Sequence, residues 1–446
     1  MLLALVVAVA AVSPQVAQQL VGGALSSGMA SQRLEELTDG IGPRMSGSAG
    51  AAAAVQWAQK KLQEDGLTVK LEPVKVPHWV RGEEHGEVLA APGTAWHKLS
   101  LTALGNSDGT PKGGVEAEVI EIHTLQELSP AVKGKIVFFN HPMSIGKDYG
   151  KYAELRVRGP AAAGKLGAVG VLLRSLATAS FASPHTGVTI YDAGGPRIPA
   201  AAISTEDGEL LHRLVRHATP PRVHFVTDCK MMPDADSFNV VAEVRGREKP
   251  QEIVLLGAHL DSWDLAQGAN DDGAGVAMVM EAGRLIQALP QHPRRTVRVV
   301  LFMNEENGSA GSKAYFASHG SEPHVAALES DSGAAKPIAI TVHAGAGGVA
   351  QMEQWLGPVK SLGLSAVEGE AGGADIGPLA ATGVPFVAVS VDNTHYFDIH
   401  HSAADTFDKV DPEMLAKDTA AVAVVAYSLA EMPDPLPRPT PKESTH

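Results

Sequence analysis

The sequence predicts an α/β protein built on a mainly parallel mixed sheet with helices on both faces. From residue 227 onward, short apolar runs typical of buried strands, such as "EIVLLGAHLD" and "TVRVVLFMNEE", alternate with segments of helical periodicity. Acidic and histidine side chains follow these runs, where an α/β sheet places its functional sites. The length of 446 residues exceeds that of a usual single domain, which predicts a second unit.

The elements before residue 227 divide into two groups. Two helices separated by the turn "TDGIGPRMSGSAG" precede the strand-like segments "LTVKLEPVKV" and "HKLSLTALG". Residues 105–226 then carry strands and helices of their own, such as "KGKIVFFN" and "YAELRVRGPAAAGKLGAVGVLLRS", without a cluster of acids and histidines. We therefore expect residues 105–226 to form a smaller inserted α/β domain, with residues 28–104 and 227–432 forming the main domain.

The elements after residue 227 predict the main sheet in chain order. The segments "FNVVAEVRG" and "EIVLLGAHLD" are typical of a hairpin-like pair, followed by the helix "DDGAGVAMVMEAGRLIQAL" and the strand "TVRVVLFMNEE". Further strands are predicted at "VAALESDSG", "PIAITVHAG" and "VPFVAVSVD", and a long last helix begins at "DPEMLAKD". The Pro-rich tail, residues 433–446, is predicted to be disordered.

The N-terminus predicts an exported protein. The run "LLALVVAVAAV" has the length of the apolar core of a secretory leader and is too short to span a bilayer. We assign residues 1–20 to this leader, which predicts a secreted or periplasmic protein without a membrane span in its mature form. No Lys or Arg precedes Arg33, so an apolar helix that packs on the domain is the alternative.

Composition excludes several classes of function. The formal net charge of -14 argues against a nucleic-acid partner, because phosphates need a basic surface. The single cysteine, Cys229, leaves neither an internal disulfide nor a thiolate metal site. The remaining classes are a globular enzyme or a binding protein whose site uses oxygen and imidazole ligands.

Candidate metal ligands follow successive strands of the predicted sheet. Each one alone is typical of an ordinary polar residue at a strand end, but several on one sheet edge indicate a metal site. Imidazole and carboxylate donors suit zinc, and the set is too large for one tetrahedral ion. It suits two ions about 3.5–4 Å apart that share a carboxylate. The candidates are His259, Asp261, Asp271, Glu305, Glu306, Asp331, either His400 or His401, and Asp405.

The order of these motifs resembles a known family. The set H-x-D, N-D-D-G, N-E-E, E-S-D and H-x-x-x-D-T is similar to that of the co-catalytic zinc exopeptidases, which include bacterial leucyl aminopeptidase and glutamate carboxypeptidase II. The stretches "IGPRMSGSAG", "GAHLDSWDLAQGANDDGAG", "RRTVRVVLFMNEENGSAGS" and "HHSAADTFDKVDP" resemble the carboxypeptidase Q (plasma glutamate carboxypeptidase) branch. The resemblance extends from Arg33 to Met432, and residues 105–226 are similar to a protease-associated domain.

The resemblance implies a ligand set with two zinc ions per chain. It makes Asp271 the carboxylate that bridges both ions, with His259 and Asp331 completing one site. Glu306 and His401 complete the other. His401 is chosen over its neighbour because only His401 has the H-x-x-x-D-T spacing.

The resemblance also implies roles for residues around the ions. Asp261 would hold the ring of His259, and Glu305 would be the general base and acid. A cis peptide is expected between Asp271 and Asp272, with Asp272 stabilising a helix N-terminus. Asp264 is left without a role.

The expected activity is hydrolysis of terminal peptide bonds in short peptides, with dipeptides as the expected substrates. Which end of the substrate is recognised stays open. Asp375 could bind an α-amine, whereas Arg158, Arg174 and Arg197 could bind a carboxylate. A homodimer is also left open.

Other functions remain as alternatives. The chain could be an aminopeptidase for longer peptides, a single-zinc enzyme of the glutaminyl cyclase type, or a non-catalytic binding protein of the same fold. The segment "GAGGVA" at 345–350 matches a dinucleotide-binding fingerprint but lies late in the sheet, which disfavours that function. Phe181, Tyr191, Trp263 and Trp355 are candidates for a specificity pocket.

Overall fold

A computed structural model describes residues 12–144, 146–179 and 181–439, and within them the chain forms two eight-stranded sheets flanked by helices. The α-helices are α1 Pro14–Ser27, α2 Met29–Thr38, α3 Ala49–Glu64, α4 Tyr149–Lys165, α5 Thr205–Leu214, α6 Ala274–Gln287, α7 Ala310–His319, α8 Gly348–Glu353, α9 Tyr396–Ile399 and α10 Pro412–Glu431. The strands are β1 Thr68–Val80, β2 Glu84–Val88, β3 His97–Leu99, β4 Leu101–Ala103, β5 Val115–Ile122, β6 Ile136–Phe139, β7 Gly170–Arg174, β8 Ala200–Ile203, β9 Arg222–Thr227, β10 Lys230–Val244, β11 Lys249–His259, β12 Arg295–Phe302, β13 His324–Glu329, β14 Pro337–His343, β15 Ala366–Glu368 and β16 Phe386–Val391.

The main sheet has the strand order β1-β10-β12-β11-β13-β16-β14-β15. Its centre, β12-β11-β13-β16, is parallel, whereas β1, β10 and β14 run antiparallel to their neighbours on the central side. This mixed sheet confirms the predicted fold class. The predicted hairpin of β10 and β11 is wrong, because β12 lies between them and pairs with both. A link of a few residues can cross one intervening strand, so proximity in sequence does not decide which strands pair.

Helices cover both faces of this sheet. Alternate strand residues, such as Val254 and Leu256, pack in one core with α1, α3, α6 and α10. The residues between them, such as Leu255, pack in a second core with Tyr315 of α7. Because successive side chains of a strand point to opposite faces, this alternation places apolar layers on both sides of the sheet.

The start of the described chain is a helix packed on the body. Helix α1 contacts α10 and α6, and its residues Leu20 and Ala24 are buried. Residues 14–20 of the predicted leader belong to this helix, as the alternative of a packed N-terminal helix expects, whereas residues 1–11 lie outside the described residues. Within the described part of the chain, no helix combines the length and apolarity needed to cross a membrane.

The Pro-rich tail is ordered as far as the structure describes it, so the prediction of disorder is wrong for residues 433–439. Leu436 is only 3% exposed, and Arg438 donates hydrogen bonds to the carbonyls of Thr382 and His324, both at 2.8 Å. The backbone N–H of Gly345 donates to a tail carbonyl at 2.7 Å. Two glycines of "GAGGVA", Gly345 and Gly348, therefore lie against the tail, and composition alone missed these contacts. Residues 440–446 lie outside the described residues.

The second sheet has the order β3-β2-β9-β5-β6-β7-β8-β4, with β5 to β8 parallel. It has its own apolar cores, one of which includes residues of α4 and the other residues of α5. Strands β2 to β4 lie within the range 28–104 assigned from sequence to the main domain, yet they pair in this sheet. We propose that the smaller unit begins near Glu84 and that residues 105–226 supply the rest of it.

Candidate metal centre

The parallel strands of the main sheet bring the predicted ligands to one edge. Strand β11 ends at His259, β12 is followed by Glu305 and Glu306, and β13 is followed by Asp331. Carboxyl ends of parallel strands coincide at one edge of a sheet, so these side chains meet there. His401 reaches the same place from the loop after α9.

The Asp271 carboxylate lies between two histidines. Its Oδ1 is 3.1 Å from Nε2 of His259, and its Oδ2 is 3.3 Å from Nε2 of His401. On the first side, Asp331 Oδ1 lies 3.6 Å from the same His259 nitrogen. On the second side, Glu306 Oε2 lies 3.0 Å from Nε2 of His401. The five predicted ligands therefore form two sets of three that share Asp271.

His400 also reaches this cluster. Its Nε2 is 3.5 Å from Asp271 Oδ2, and its ring stacks on that of His401 with centroids 3.6 Å apart. Ligand atoms of His400, His401 and Asp271 all lie within 4.8 Å of one another. Distance to Asp271 therefore separates the two histidines poorly, but the 3.0 Å contact with Glu306 belongs to His401.

Asp261 acts differently from the prediction that its carboxylate holds the His259 ring. Nδ1 of His259 lies 3.0 Å from the backbone oxygen of Asp261, whereas the nearest carboxylate oxygen is 3.9 Å away. The carboxylate instead accepts backbone N–H bonds from Asn304 at 2.6 Å, Glu305 at 3.1 Å and Glu306 at 3.3 Å. It therefore fixes the loop that carries the predicted base and one predicted ligand.

Asp405 fixes the backbone beside the shared carboxylate. It accepts the N–H of Asn270 at 2.7 Å and that of Asp271 at 3.1 Å. Burial raises the pKa of Asp405 to about 7, although these hydrogen bonds favour its ionised form. The aspartate of the H-x-x-x-D-T motif thus positions the Asp271 loop.

The predicted cis peptide between Asp271 and Asp272 is confirmed. Asp272 is fully buried and accepts backbone N–H bonds from His259 at 3.0 Å and Gly275 at 3.1 Å. The second bond lies in the first turn of α6, which agrees with the predicted role at a helix N-terminus. Asp264, left without a role, forms a bidentate ion pair with Arg81 at 2.7 and 2.8 Å.

Sequence reasoning missed Arg44, which braces the loop around Asp271. Arg44 is fully buried and donates to the carbonyls of Leu260 at 2.9 Å, Gln267 at 2.5 Å and Gly268 at 2.9 Å. Burial lowers its pKa to about 10, while nearby carboxylates, first among them Asp405, oppose that change. The signal was present, since Arg44 belongs to the quoted stretch "IGPRMSGSAG".

The smaller unit also contributes to the centre through its backbone. Nδ1 of His401 lies 3.3 Å from the carbonyl oxygen of Thr186, and the Thr186 N–H donates to the carbonyl of His401 at 2.9 Å. A carbonyl acceptor at Nδ1 leaves Nε2 free to face a metal. Two units of the chain therefore meet at His401.

The electrostatics of the cluster fit bound cations. Burial raises the pKa of Glu306 to about 7, and the charge of Asp271 adds to the rise. Burial would also raise the pKa of Asp271, but hydrogen bonds with His259 and His401 hold it well below its usual range. Oε1 of Glu306 is buried without a hydrogen-bond partner among the described residues. Carboxylates this close ionise together only beside positive charge, and their mixture with imidazoles suits zinc.

A cavity of about 590 Å³ opens beside the cluster. Its wall includes Glu305, whose pKa is raised well above the usual range by burial and by the negative charges around it. The smaller unit supplies Tyr149, Arg156, Val188 and Ile190 to the same wall. The cavity can therefore hold a small ligand that contacts both units.

The residues considered for recognising substrate ends lie mostly elsewhere. Arg174 and Arg197 are paired with carboxylates at 2.6 and 2.8 Å, and Arg158 is exposed. Asp375 is only 3% exposed, and its carboxylate oxygens have no hydrogen-bond partner among the described residues. Of the four aromatic candidates for a pocket, Trp263 lies against His401 at 5.7 Å between ring centroids. The described aromatic residues on the wall of the large cavity are instead Tyr149, Tyr396 and Phe397.

Comparison with known proteins identifies the family. Residues 239–426 match the profile of peptidase family M28. Carboxypeptidase Q of Mus musculus is 39% identical over 413 residues, which cover 91% of this chain and 87% of the relative, and the Homo sapiens protein is equally identical with 86% of it covered. A crystal structure of a peptidase M28 precursor from Shewanella amazonensis SB2B has a TM-score of 0.91 at 39% identity, covering 96% of this chain and 99% of that one.

A more distant structure shares the fold. A zinc aminopeptidase from Bacillus subtilis has a TM-score of 0.66 at 20% identity, covering 91% of this chain and 96% of that chain. The extent and identity of the nearer matches, together with the five clustered ligands, show that the chain belongs to peptidase family M28.

Proposed function

We propose that the protein is an exopeptidase with two zinc ions that hydrolyses terminal peptide bonds of short peptides, above all dipeptides. The position of Asp271 carries this proposal, because each of its oxygens faces a different histidine at 3.1 and 3.3 Å. Ligand atoms of a tetrahedral zinc are about 3.3 Å apart when its bonds are about 2.0 Å long. The distances from the histidine nitrogen to the carboxylate oxygens in the two sets, 3.0 to 3.6 Å, fit that spacing.

The chemistry is divided between the metal and the chain. When bound, the zinc pair would polarise the scissile carbonyl and lower the pKa of a water molecule, so that the water loses a proton readily and can attack the carbonyl carbon. Glu305, on the cavity wall, takes the proton from that water and returns it to the nitrogen of the leaving amine. Burial and the surrounding negative charges raise the pKa of Glu305 well above its usual range, which helps this carboxyl group hold the proton until it passes to the leaving amine.

The surroundings support a small substrate. A cavity of about 590 Å³ lies within the range that encloses a small ligand, and the smaller unit closes one side of it. The names of the relatives, carboxypeptidase Q and zinc aminopeptidase, agree with action at a chain terminus. The predicted export remains a proposal beside this one, and a homodimer stays open.

The test removes the base and keeps the ligands. Glu305→Gln should lower kcat on a dipeptide by about 10²- to 10⁴-fold, the usual contribution of a general base, while the protein keeps two zinc ions. Metal content measured on the same sample separates loss of the base from loss of zinc. Glu370→Gln, at an exposed position, is the matched control and should leave kcat unchanged.

Removal of the metal tests the other half of the proposal. Chelation should abolish hydrolysis, and adding zinc should restore it with two ions per chain. One zinc ion per chain without dipeptide hydrolysis would favour the single-zinc cyclase alternative. Full hydrolysis with one ion would overturn the second zinc site, and full hydrolysis without metal would overturn the whole proposal. A preference for longer peptides over dipeptides would favour the aminopeptidase alternative.

A further inference from the structure

Arg156 is a buried cation without a counter-charge. It lies in α4 of the smaller unit and is only 5% exposed. Its Nη1 makes one long hydrogen bond, 3.4 Å to the carbonyl of Thr186, and its buried Nε has no partner among the described residues. No described carboxylate forms an ion pair with it, whereas Arg174 and Arg197 of the same unit are both paired. A buried guanidinium is costly unless an anion reaches it, so Arg156 calls for a ligand.

The chain makes room for this guanidinium. A Cβ at Gly187 would lie 2.3 Å from Cζ of Arg156, so a larger side chain at position 187 would displace it. Gly187 also has φ of 140°, a conformation that side chains disfavour. On another side, the ring of Tyr149 lies 5.4 Å from Cζ. The guanidinium therefore has a defined seat on the wall of the cavity.

This seat is close to the metal centre. The ring of Tyr149 that neighbours Arg156 is 4.9 Å from the His400 ring and 6.5 Å from the His401 ring, between centroids. Arg156 lines the same cavity as Asp271 and Glu305. A ligand that reaches the centre with one carbonyl can therefore place a negative group at Arg156.

We propose that Arg156 binds the free α-carboxylate of the substrate, so that the scissile bond is the last one of the chain. This assignment rests on the proposed peptidase function and names the substrate class of that site. A planar guanidinium pairs with a carboxylate through two parallel hydrogen bonds, which also fixes orientation. One residue spans about 3.3–3.6 Å, so an anchor separated from the histidines of the centre by the ring of Tyr149 fits peptides cut one residue from the C-terminus.

The cavity contains one other described cation, which is a weaker candidate. Lys313 is exposed, and its Nζ donates to the carbonyl of Gly308 at 2.9 Å. An exposed ammonium is already hydrated and gains less from a carboxylate than a buried guanidinium does. Lys313 is therefore the rival that the experiment must separate from Arg156.

The experiment compares one dipeptide with its blocked forms on the zinc-loaded, full-length enzyme. The substrates are Ala-Leu, its C-terminal amide and its N-acetyl form. The natural enzyme should prefer Ala-Leu over the amide by at least about tenfold in kcat/KM. In Arg156→Met, kcat/KM for Ala-Leu should fall by that factor of about ten, mainly through a higher KM. Its kcat/KM for the amide should stay within about threefold of the natural value, because the amide lacks the negative charge.

Three further variants make the result specific. Arg156→Lys keeps the charge without the planar fork, so its ratio should lie between those of the natural enzyme and Arg156→Met. Arg158→Met, at an exposed position of the same helix, should leave the ratio unchanged. If Arg156→Met also loses activity on the amide, the ratio of kcat/KM for Ala-Leu to kcat/KM for the amide is measured in Arg156→Lys instead. A ratio equal to that of the natural enzyme would overturn the assignment.

The other outcomes are equally decisive. Equal hydrolysis of acid and amide by the natural enzyme, or a preference lost in Lys313→Met and kept in Arg156→Met, would overturn the role of Arg156 while the peptidase function stands. Hydrolysis of none of the three forms would remove the proposed function and this assignment with it.

Discussion

The two histidines proposed as ligands in the candidate metal centre are held in different ways, one by its own loop and the other by a distant segment of the chain. Nδ1 of His259 lies 3.0 Å from the carbonyl of Asp261, two residues later in sequence. Nδ1 of His401 lies 3.3 Å from the carbonyl of Thr186, 215 residues earlier and in the smaller unit. The first half of the centre therefore forms with the main sheet, and the second half needs the two units to dock.

The contact between Thr186 and His401 makes the smaller unit a part of the candidate site rather than a neighbour of it. Besides the contact with His401, the unit supplies Tyr149, Arg156, Val188 and Ile190 to the wall of the cavity. A displacement of that unit would change both the orientation of His401 and the shape of the cavity. The His259 half would keep its ligands, because His259, Asp271 and Asp331 all lie in the main unit.

The largest effect is expected at Asp271, the residue that both halves share. Asp271→Asn should reduce binding of both zinc ions, because one oxygen of the carboxylate faces each half. If the metal ions no longer stabilise the transition state by several kcal/mol, kcat/KM should fall by about 10³-fold or more. Metal content and dipeptide hydrolysis measure the two effects together.

The exposed Asp408 offers a matched control, since Asp408→Asn should leave both values unchanged. Retention of two tightly bound ions by Asp271→Asn would show that the halves do not share this carboxylate.

Intermediate effects on zinc binding are expected at Asp261 and Asp405, the two acids that hold the backbone around the centre, and these effects should differ between the two halves. The Asp261 carboxylate accepts N–H bonds from the loop that carries Glu306, a proposed ligand of the His401 half. Asp261→Asn should therefore weaken zinc binding in that half by about 10- to 100-fold, the usual effect of such supporting groups. Asp405→Asn should weaken both halves, because Asp405 holds the backbone of Asp271.

Variants with one half disabled make this measurable by titration with a chromogenic zinc chelator. In a His259→Ala background only the Glu306–His401 site should remain, and Asp261→Asn should weaken it there. In a His401→Ala background the remaining site should change little. The reverse pattern would support the role first predicted for Asp261, holding the ring of His259.

The sequence predicted side-chain chemistry well and backbone partnerships poorly. The meeting of the five candidate ligands and the cis peptide after Asp271 could be predicted, because the short motifs that contain these residues resemble those of a known family. The role of the Thr186 carbonyl as an acceptor could not be predicted, because every residue has a backbone carbonyl and the sequence does not show which one accepts a hydrogen bond from a histidine. The same reason hid the true role of Asp261, whose partners are backbone N–H groups.

The strand order and the packing of the tail could not be predicted from the sequence, for related reasons. Strands β10 and β11 each have the pattern of a buried strand, and nothing in either pattern shows that β12 lies between them. The tail lacks a long apolar run, but Leu436 and the backbone contacts of Arg438 dock it on the body. Such long-range pairing depends on the assembled surface rather than on local composition.

The smallest effect is expected at His400, the neighbour that stacks on His401. His400 lies 3.5 Å from Asp271 but makes no ion pair with Glu306 in the described structure, and burial holds its pKa well below the usual range. His400→Ala should therefore keep two zinc ions and lower kcat/KM by less than about tenfold, since it removes packing rather than a ligand. His401→Ala should lose one ion and most activity. If metal analysis showed the opposite, the second half of the centre would be built on His400, and the carbonyl of Thr186 would no longer orient a ligand.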